Sequence, residues 1–146
     1  MHRIEGKIKI DCLSQVSEKI FINEQIDPIA ESFFYCCDCN AANRFDIIPY
    51  ETGFPFVELY KNENVLSEKM ILENRIASKT SSWASYLGDY TVNNLPTLYF
   101  GVYCKHCSAI HLLVFGYGEK QPGLTICEIS GVWKIDLIDG GNVTAV

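Results

Sequence analysis

Two short cysteine units, Cys36-Cys37-Asp38-Cys39 and Cys104-Lys105-His106-Cys107, constrain this chain more than any other feature. Each sets two sulfurs close together on one tight turn, and the pair of turns makes a complete set of four. Zinc favours a tetrahedron and accepts thiolates readily. Four cysteines leave no open position for water, so such a shell is structural rather than catalytic. The expected cofactor is therefore one structural zinc, with Cys36, Cys39, Cys104 and Cys107 as metal ligands and no catalytic or other cofactor-binding residue. Iron satisfies the same thiolate tetrahedron, and the spacing does not separate the two metals. The other three of the seven cysteines, Cys12, Cys37 and Cys127, read as core or surface thiols.

The segments around each unit have strand character. Ala30 to Tyr35 leads into the first and Arg44 to Tyr50 leads away; Leu98 to Tyr103 leads into the second and Ala109 to Tyr117 leads away. Both units are thus expected at the tips of hairpins. Laying Cys36 on Cys104 also matches Tyr35 with Tyr103, Cys39 with Cys107 and Ala41 with Ala109, a short internal repeat. His106 is expected to face solvent. His111, inside an apolar strand, is expected as a hydrogen-bonded core residue rather than a ligand.

On these residues the chain resembles the zinc-ribbon family, in which two cysteine knuckles on β-hairpins face one another across a zinc. The resemblance covers roughly residues 30–50 and 98–130. Its usual gap between pairs is about 15–20 residues, whereas residues 40–103 intervene here. Lengthening the gap from ~18 to ~64 residues costs roughly 1 kcal/mol of loop closure, against about 10–16 kcal/mol for structural zinc binding in small peptides. The long gap therefore leaves the site intact and implies a folded insertion at about residues 51–97.

Elsewhere the pattern is mostly β. Ile8, Ile10 and Cys12 alternate with charged neighbours over Gly6 to Cys12, and Lys19 to Asn23 is a second strand, with Asp27-Pro28 as a turn. In the insertion, Phe56 to Tyr60 reads as extended, Leu66 to Ala77 fits strand or helix, and Ser81 to Leu87 reads as a short helix stopped by Gly88. Gly116-Tyr117-Gly118 reads as a hairpin turn. Leu124 to Ile129 and Val132 to Ile138 read as two closing strands, Asp139 to Asn142 as a turn, and the last residues as tail. The expected fold is mainly β (β-rich α+β): one domain over 1–146, an antiparallel sheet with two zinc knuckles, and a short helix in the insertion.

Composition narrows the function classes. The chain has 146 residues, 48% of them hydrophobic, enough for a core of its own. Twelve basic and eighteen acidic side chains give a net charge of −6, with no basic cluster, which argues against nucleic acid as a partner. No apolar run suits an export signal or a membrane span, so a cytoplasmic protein is expected. No phosphate-binding glycine loop, metalloprotease helix or nucleophile elbow is present. The expected role is a non-enzymatic, zinc-binding protein-interaction or inhibitory module, monomeric or homodimeric, with Tyr50, Phe54, Phe56, Trp83, Tyr86 and Tyr90 as candidate contacts. Each of these aromatics singly fits the core as well. The alternatives are a thiol–disulfide redox protein using one cysteine pair and a nucleic-acid-binding zinc ribbon.

Overall fold

Alternation of buried and exposed residues builds most of this structure. In the computed structural model, which describes residues 1–23, 30–48, 50–138 and 142–145, strands β1 (His2–Glu5) and β2 (Ile8–Leu13) open the chain. They are followed by β3 (Gln15–Val16), β4 (Ile20–Asn23), β5 (Ala30–Tyr35) and β6 (Ala42–Ile47). The stretch between the two cysteine units holds β7 (Phe54–Pro55), helices α1 (Val57–Tyr60) and α2 (Glu68–Glu73), β8 (Ser78–Lys79), a 3-10 turn at Ser82–Leu87 and β9 (Tyr90–Thr91). Strands β10 (Thr97–Tyr103), β11 (Ile110–Gln121), β12 (Leu124–Leu137) and β13 (Asn142–Ala145) close it. The fold is mainly β and antiparallel, as the sequence pattern implies.

The larger sheet runs β13-β1-β10-β11-β12-β2, with β4 added beside β12 and β7 beside β10; β3-β5-β6 form a smaller sheet and β8-β9 a ribbon. Strand β11 is central. His111, Leu112, Leu113, Val114 and Phe115 are consecutive and all buried, the unbroken run of a strand covered on both faces. The smaller sheet reaches it through Phe34, whose ring lies 4.9 Å from that of His111. In β6 the residues Asn43, Phe45 and Ile47 point inward while Arg44 and Asp46 face out, the two-residue period that places Asn43 beside the first knuckle.

Several details depart from the sequence pattern. Phe56 to Tyr60 is not extended: Val57–Tyr60 is one turn of helix that buries Leu59, with Phe56 buried just before it. Residues 116–118 lie inside β11. Gly116 is there because a Cβ would come within 3.0 Å of Leu95 and of the Val92 carbonyl, and the hairpin turn falls instead at Gly123, with φ +80°. The two closing strands are one, β12, interrupted only by a bulge at Ser130 opposite the Val114/Phe115 step. The C-terminal residues are not tail, since β13 pairs with β1 from His2↔Ala145 to Glu5↔Asn142. The 3-10 turn between Ser81 and Gly88 falls where a short helix is expected, and Gly88 takes φ +110°. The expected turn at 27–28 lies outside the described residues, as do residues 139–141 of the turn expected at 139–142, whose last residue opens β13. No helix among the described residues is long and apolar enough to cross a membrane.

Candidate metal centre

The β5–β6 and β10–β11 hairpins each end in a cysteine knuckle, and the two knuckles fold alike. In the first, the Cys36 amide donates to the Ala41 carbonyl (3.0 Å) and the Asn40 amide to the Cys36 carbonyl (2.9 Å). In the second, the Cys104 amide donates to Ala109 (2.8 Å) and the Ser108 amide to Cys104 (2.9 Å). Asn40 and Ser108 close the turns with φ of 59° and 64°, a left-handed conformation at matching positions of the repeat. The one-residue differences between the repeats fall on side chains, not on the backbone path.

These turns face each other crosswise. The Cys36 and Cys107 sulfurs are 3.4 Å apart, the Cys39 and Cys104 sulfurs 3.6 Å, and all four lie within 4.8 Å of one another. A tetrahedron with metal–sulfur bonds of about 2.3 Å has edges of about 3.8 Å, so the donor set fits one thiophilic ion. Cys36 and Cys104 are buried while Cys39 and Cys107 are exposed, which places the cluster at the protein surface with one sulfur of each knuckle turned inward. All four cysteines singled out from the sequence are brought together.

Thiol chemistry within the cluster is uneven. Burial opposes ionisation of Cys104, but the Cys107 amide, the Asn43 side chain and the His106 amide donate toward its sulfur and bring the thiol down to about 6. For Cys107, an Ala109 backbone hydrogen bond favours the thiolate, yet the neighbouring sulfurs and partial desolvation prevail and push the thiol up to about 12. Cys39 is likewise raised: the Ala41 backbone pulls it down, while desolvation and the Cys104 sulfur outweigh that pull. Without metal, these surroundings favour the thiolate at Cys104 and the thiol at Cys39 and Cys107. A divalent cation reverses this logic by favouring the thiolate form of every ligand.

Asn43 escaped the reading from sequence. It is 2% exposed. Its amide nitrogen donates to the Ala41 carbonyl (3.1 Å) and to the Cys104 sulfur (3.5 Å), and its oxygen accepts from the Lys105 amide (2.9 Å). One side chain thereby joins the two knuckles. The signal was present, because overlaying Cys36 on Cys104 places Asn43 on His111, the polar residue of each inner strand face. His111 repeats half of the arrangement, its Nδ1 donating to the Ala109 carbonyl (3.0 Å). Its Nε2 is buried with no protein partner, and burial lowers the ring's pKa, so the imidazole is neutral. His106 is exposed, as expected.

Cys12 and Cys37 correct the expectation of free thiols, for they form a disulfide linking β2 to the first knuckle. Ser14 Oγ lies 3.4 Å from the Cys37 sulfur, and Lys134 Nζ bonds both Asp38 (2.8 Å) and Asp11 (3.0 Å) beside it. No spacing rule links Cys12 to Cys37 in the sequence. Cys127 is buried as expected, its thiol pushed up to about 12 by burial.

Of the candidate aromatics, Phe54 and Phe56 belong to the core and Tyr90 is half-buried, while Tyr50, Tyr86 and Trp83 are 93%, 81% and 72% exposed. The chain matches no protein-family model, no curated protein and no solved structure. Its own geometry shows a β-rich chain with a four-cysteine cluster compatible with metal binding.

Proposed function

We propose that Cys36, Cys39, Cys104 and Cys107 hold a single structural zinc ion and that the protein is a non-enzymatic β scaffold presenting a surface to a protein partner. The observation carrying the metal assignment is the crosswise meeting of two distant knuckles with all sulfurs within 4.8 Å. Bound there, zinc would join the smaller sheet to the larger and neutralise thiolates that otherwise repel one another. The four thiolates and the ion would take the formal charge from −6 to about −8, so the acidic surface that disfavours nucleic acid persists.

The thiol–disulfide alternative finds less support. Cys104 has the lowered pKa a redox cysteine needs, but its sulfur contact is with Cys39 of the opposite knuckle (3.6 Å), and Cys36 likewise meets Cys107 (3.4 Å), so the thiols converge as one four-donor set rather than as an isolated Cys-x-x-Cys pair. Elemental analysis of purified protein tests the proposal: one zinc per chain is expected, with cobalt substitution giving the absorption of tetrahedral thiolate. A red, iron-loaded protein would reassign the metal. Metal-free protein that melts no lower than protein given zinc would end the structural role.

A further inference from the structure

Away from the cysteines, the insertion and the far end of β10–β11 carry two neighbouring apolar depressions of about 370 and 280 Å³ that share Pro96 and Leu98 as a common wall. Tyr50 and Tyr117 stand over the first, ring to edge at 5.8 Å. Tyr60, Tyr86 and Tyr90 stand over the second, Tyr60 and Tyr90 ring to edge at 5.1 Å. Gly53, at φ +95°, has Leu98 and Phe115 atoms 3.0 Å from where a Cβ would be, so a side chain there would be strained and would crowd the wall of the first depression.

The chemistry of these walls selects among ligands. The described residues lining the two depressions include a single charged side chain, Glu119, and no cation, which disfavours a phosphate-bearing ligand. Strand addition is blocked as well, because the adjoining edge of β10 is already paired through Leu98↔Pro55 and proline offers no N–H to a further strand. Remaining are aromatic faces, a rib between two slots and the Tyr86 hydroxyl, since Tyr90 bonds Glu68, Tyr50 and Tyr117 bond each other, and Tyr60 accepts from the Asp89 amide. Flat proline rings stack on such faces. A polyproline-II chain returns the same edge every three residues and leaves its carbonyls free for a hydroxyl donor.

We infer that this double slot is a docking site for a proline-rich segment of a partner protein in the polyproline-II conformation, one proline on each side of the Pro96–Leu98 rib and a basic residue beside Glu119. The inference deepens the protein-binding half of the proposed function and is independent of the metal. Charge complementarity sets the direction: the one charge among the slot's described lining residues is negative and the chain carries −6 overall, so an arginine next to the Tyr50–Tyr117 end meets an acid there. The highly exposed Tyr50 and Tyr86 are the expected anchors, since aromatic side chains dominate peptide recognition at small cost in side-chain order.

The test uses the full, metal-loaded chain and a labelled peptide of about ten residues with two prolines three apart and an arginine at one end. Saturable binding below about 1 mM is expected. Tyr50→Ala and Tyr86→Ala should each weaken it about tenfold while leaving metal content and Tm unchanged. Glu119→Gln should weaken the arginine peptide several-fold and leave a peptide with glutamine in its place unaffected. Absence of saturable binding, or native affinity in both tyrosine variants, overturns the site. Equal loss of both peptides in Glu119→Gln overturns the assigned orientation. Tyr86-dependent dimerisation by sedimentation without peptide binding would assign the slots to a second copy of the chain and overturn the proline-rich partner. Loss of metal in the tyrosine variants would show that the site and the centre are not separate, whereas peptide binding that survives in metal-free protein leaves this inference standing even if the zinc assignment fails.

Discussion

The two knuckles share a backbone and differ in what holds them. The second sits at the end of β10 and β11, strands built into the middle of the larger sheet, and needs no further attachment. The first sits on a hairpin of the smaller, three-stranded sheet, and it is tied to β2 and β12 by the Cys12–Cys37 bond and by Lys134 to Asp38. At the equivalent inner position one carries Asn43, bonded to the opposite knuckle's sulfur, and the other His111, bonded only within its own. Metal-ligand stereochemistry is therefore a local property that the repeat reproduces, whereas anchoring is supplied separately wherever the surrounding sheet is small.

This contrast can be broken in order of effect. Cys36→Ser and Cys104→Ser should abolish metal binding alike and lower Tm by about 10 °C or more, because metal affinity is coupled to folding; elemental analysis and thermal melts read both, and a knuckle that tolerates the change would separate the two.

Acidification comes next. The folded Cys104 value of about 6 lies below the ordinary 9.0, so the thiolate's stabilising contribution is complete above 9 and is lost as pH falls through about 6. His111 acts in the same direction, since its folded pKa is depressed: the neutral ring's contribution is complete above 6.5 and lost as pH falls through the lower folded value. Melts of metal-free protein from pH 8 to 5 should show falling Tm, and metal release should track the same interval; a Tm that rises on acidification would contradict both assignments.

Third is Cys12→Ser, which removes a link closing 25 residues and is expected to cost about 3 kcal/mol while the metal stays bound. Denaturant unfolding with and without reductant measures it, and a metal-free Cys12→Ser protein would mean that the first knuckle cannot form without its tether. Smallest is the inner pair: Asn43→Ala should weaken metal affinity about tenfold, while His111→Leu should leave it unchanged and alter stability by about 1 kcal/mol or less, since it removes a buried nitrogen without a partner. Competition with a chelator distinguishes them, and equal effects would erase the asymmetry.

Much of the centre was legible because its determinants are local. Cysteine spacing, the strand character of residues 30–35 and 44–50, and the overlay of Tyr35 on Tyr103 all place knuckles on hairpins without any long-range knowledge. Errors fell where distant packing decides. Gly116 and Gly118 look like turn residues, yet both lie inside β11, and Gly116 is a glycine because Leu95 and the Val92 carbonyl press against it. Ser130-Gly131 looks like a break, yet Ser130 is a bulge residue donating to the Ile76 carbonyl (2.6 Å), and Gly131 makes room for the Trp133 indole, whose nearest atom would lie 2.9 Å from a Cβ. The helix at Val57–Tyr60 runs against the β preference of its valine and tyrosine because it buries Leu59. The Cys12–Cys37 bond and the β1–β13 pairing join segments with no sequence relation.

The separation of the two halves of the cluster also sets a timetable for the ribosome. Cys39 and Cys104, which end as neighbours, are 65 residues apart, so at about 5–20 residues per second the first dithiol waits roughly 3–13 s during synthesis for its counterpart. Cys12 has already emerged by then, ahead of Cys37, so a nascent chain has one cysteine partner at hand long before the metal shell is complete.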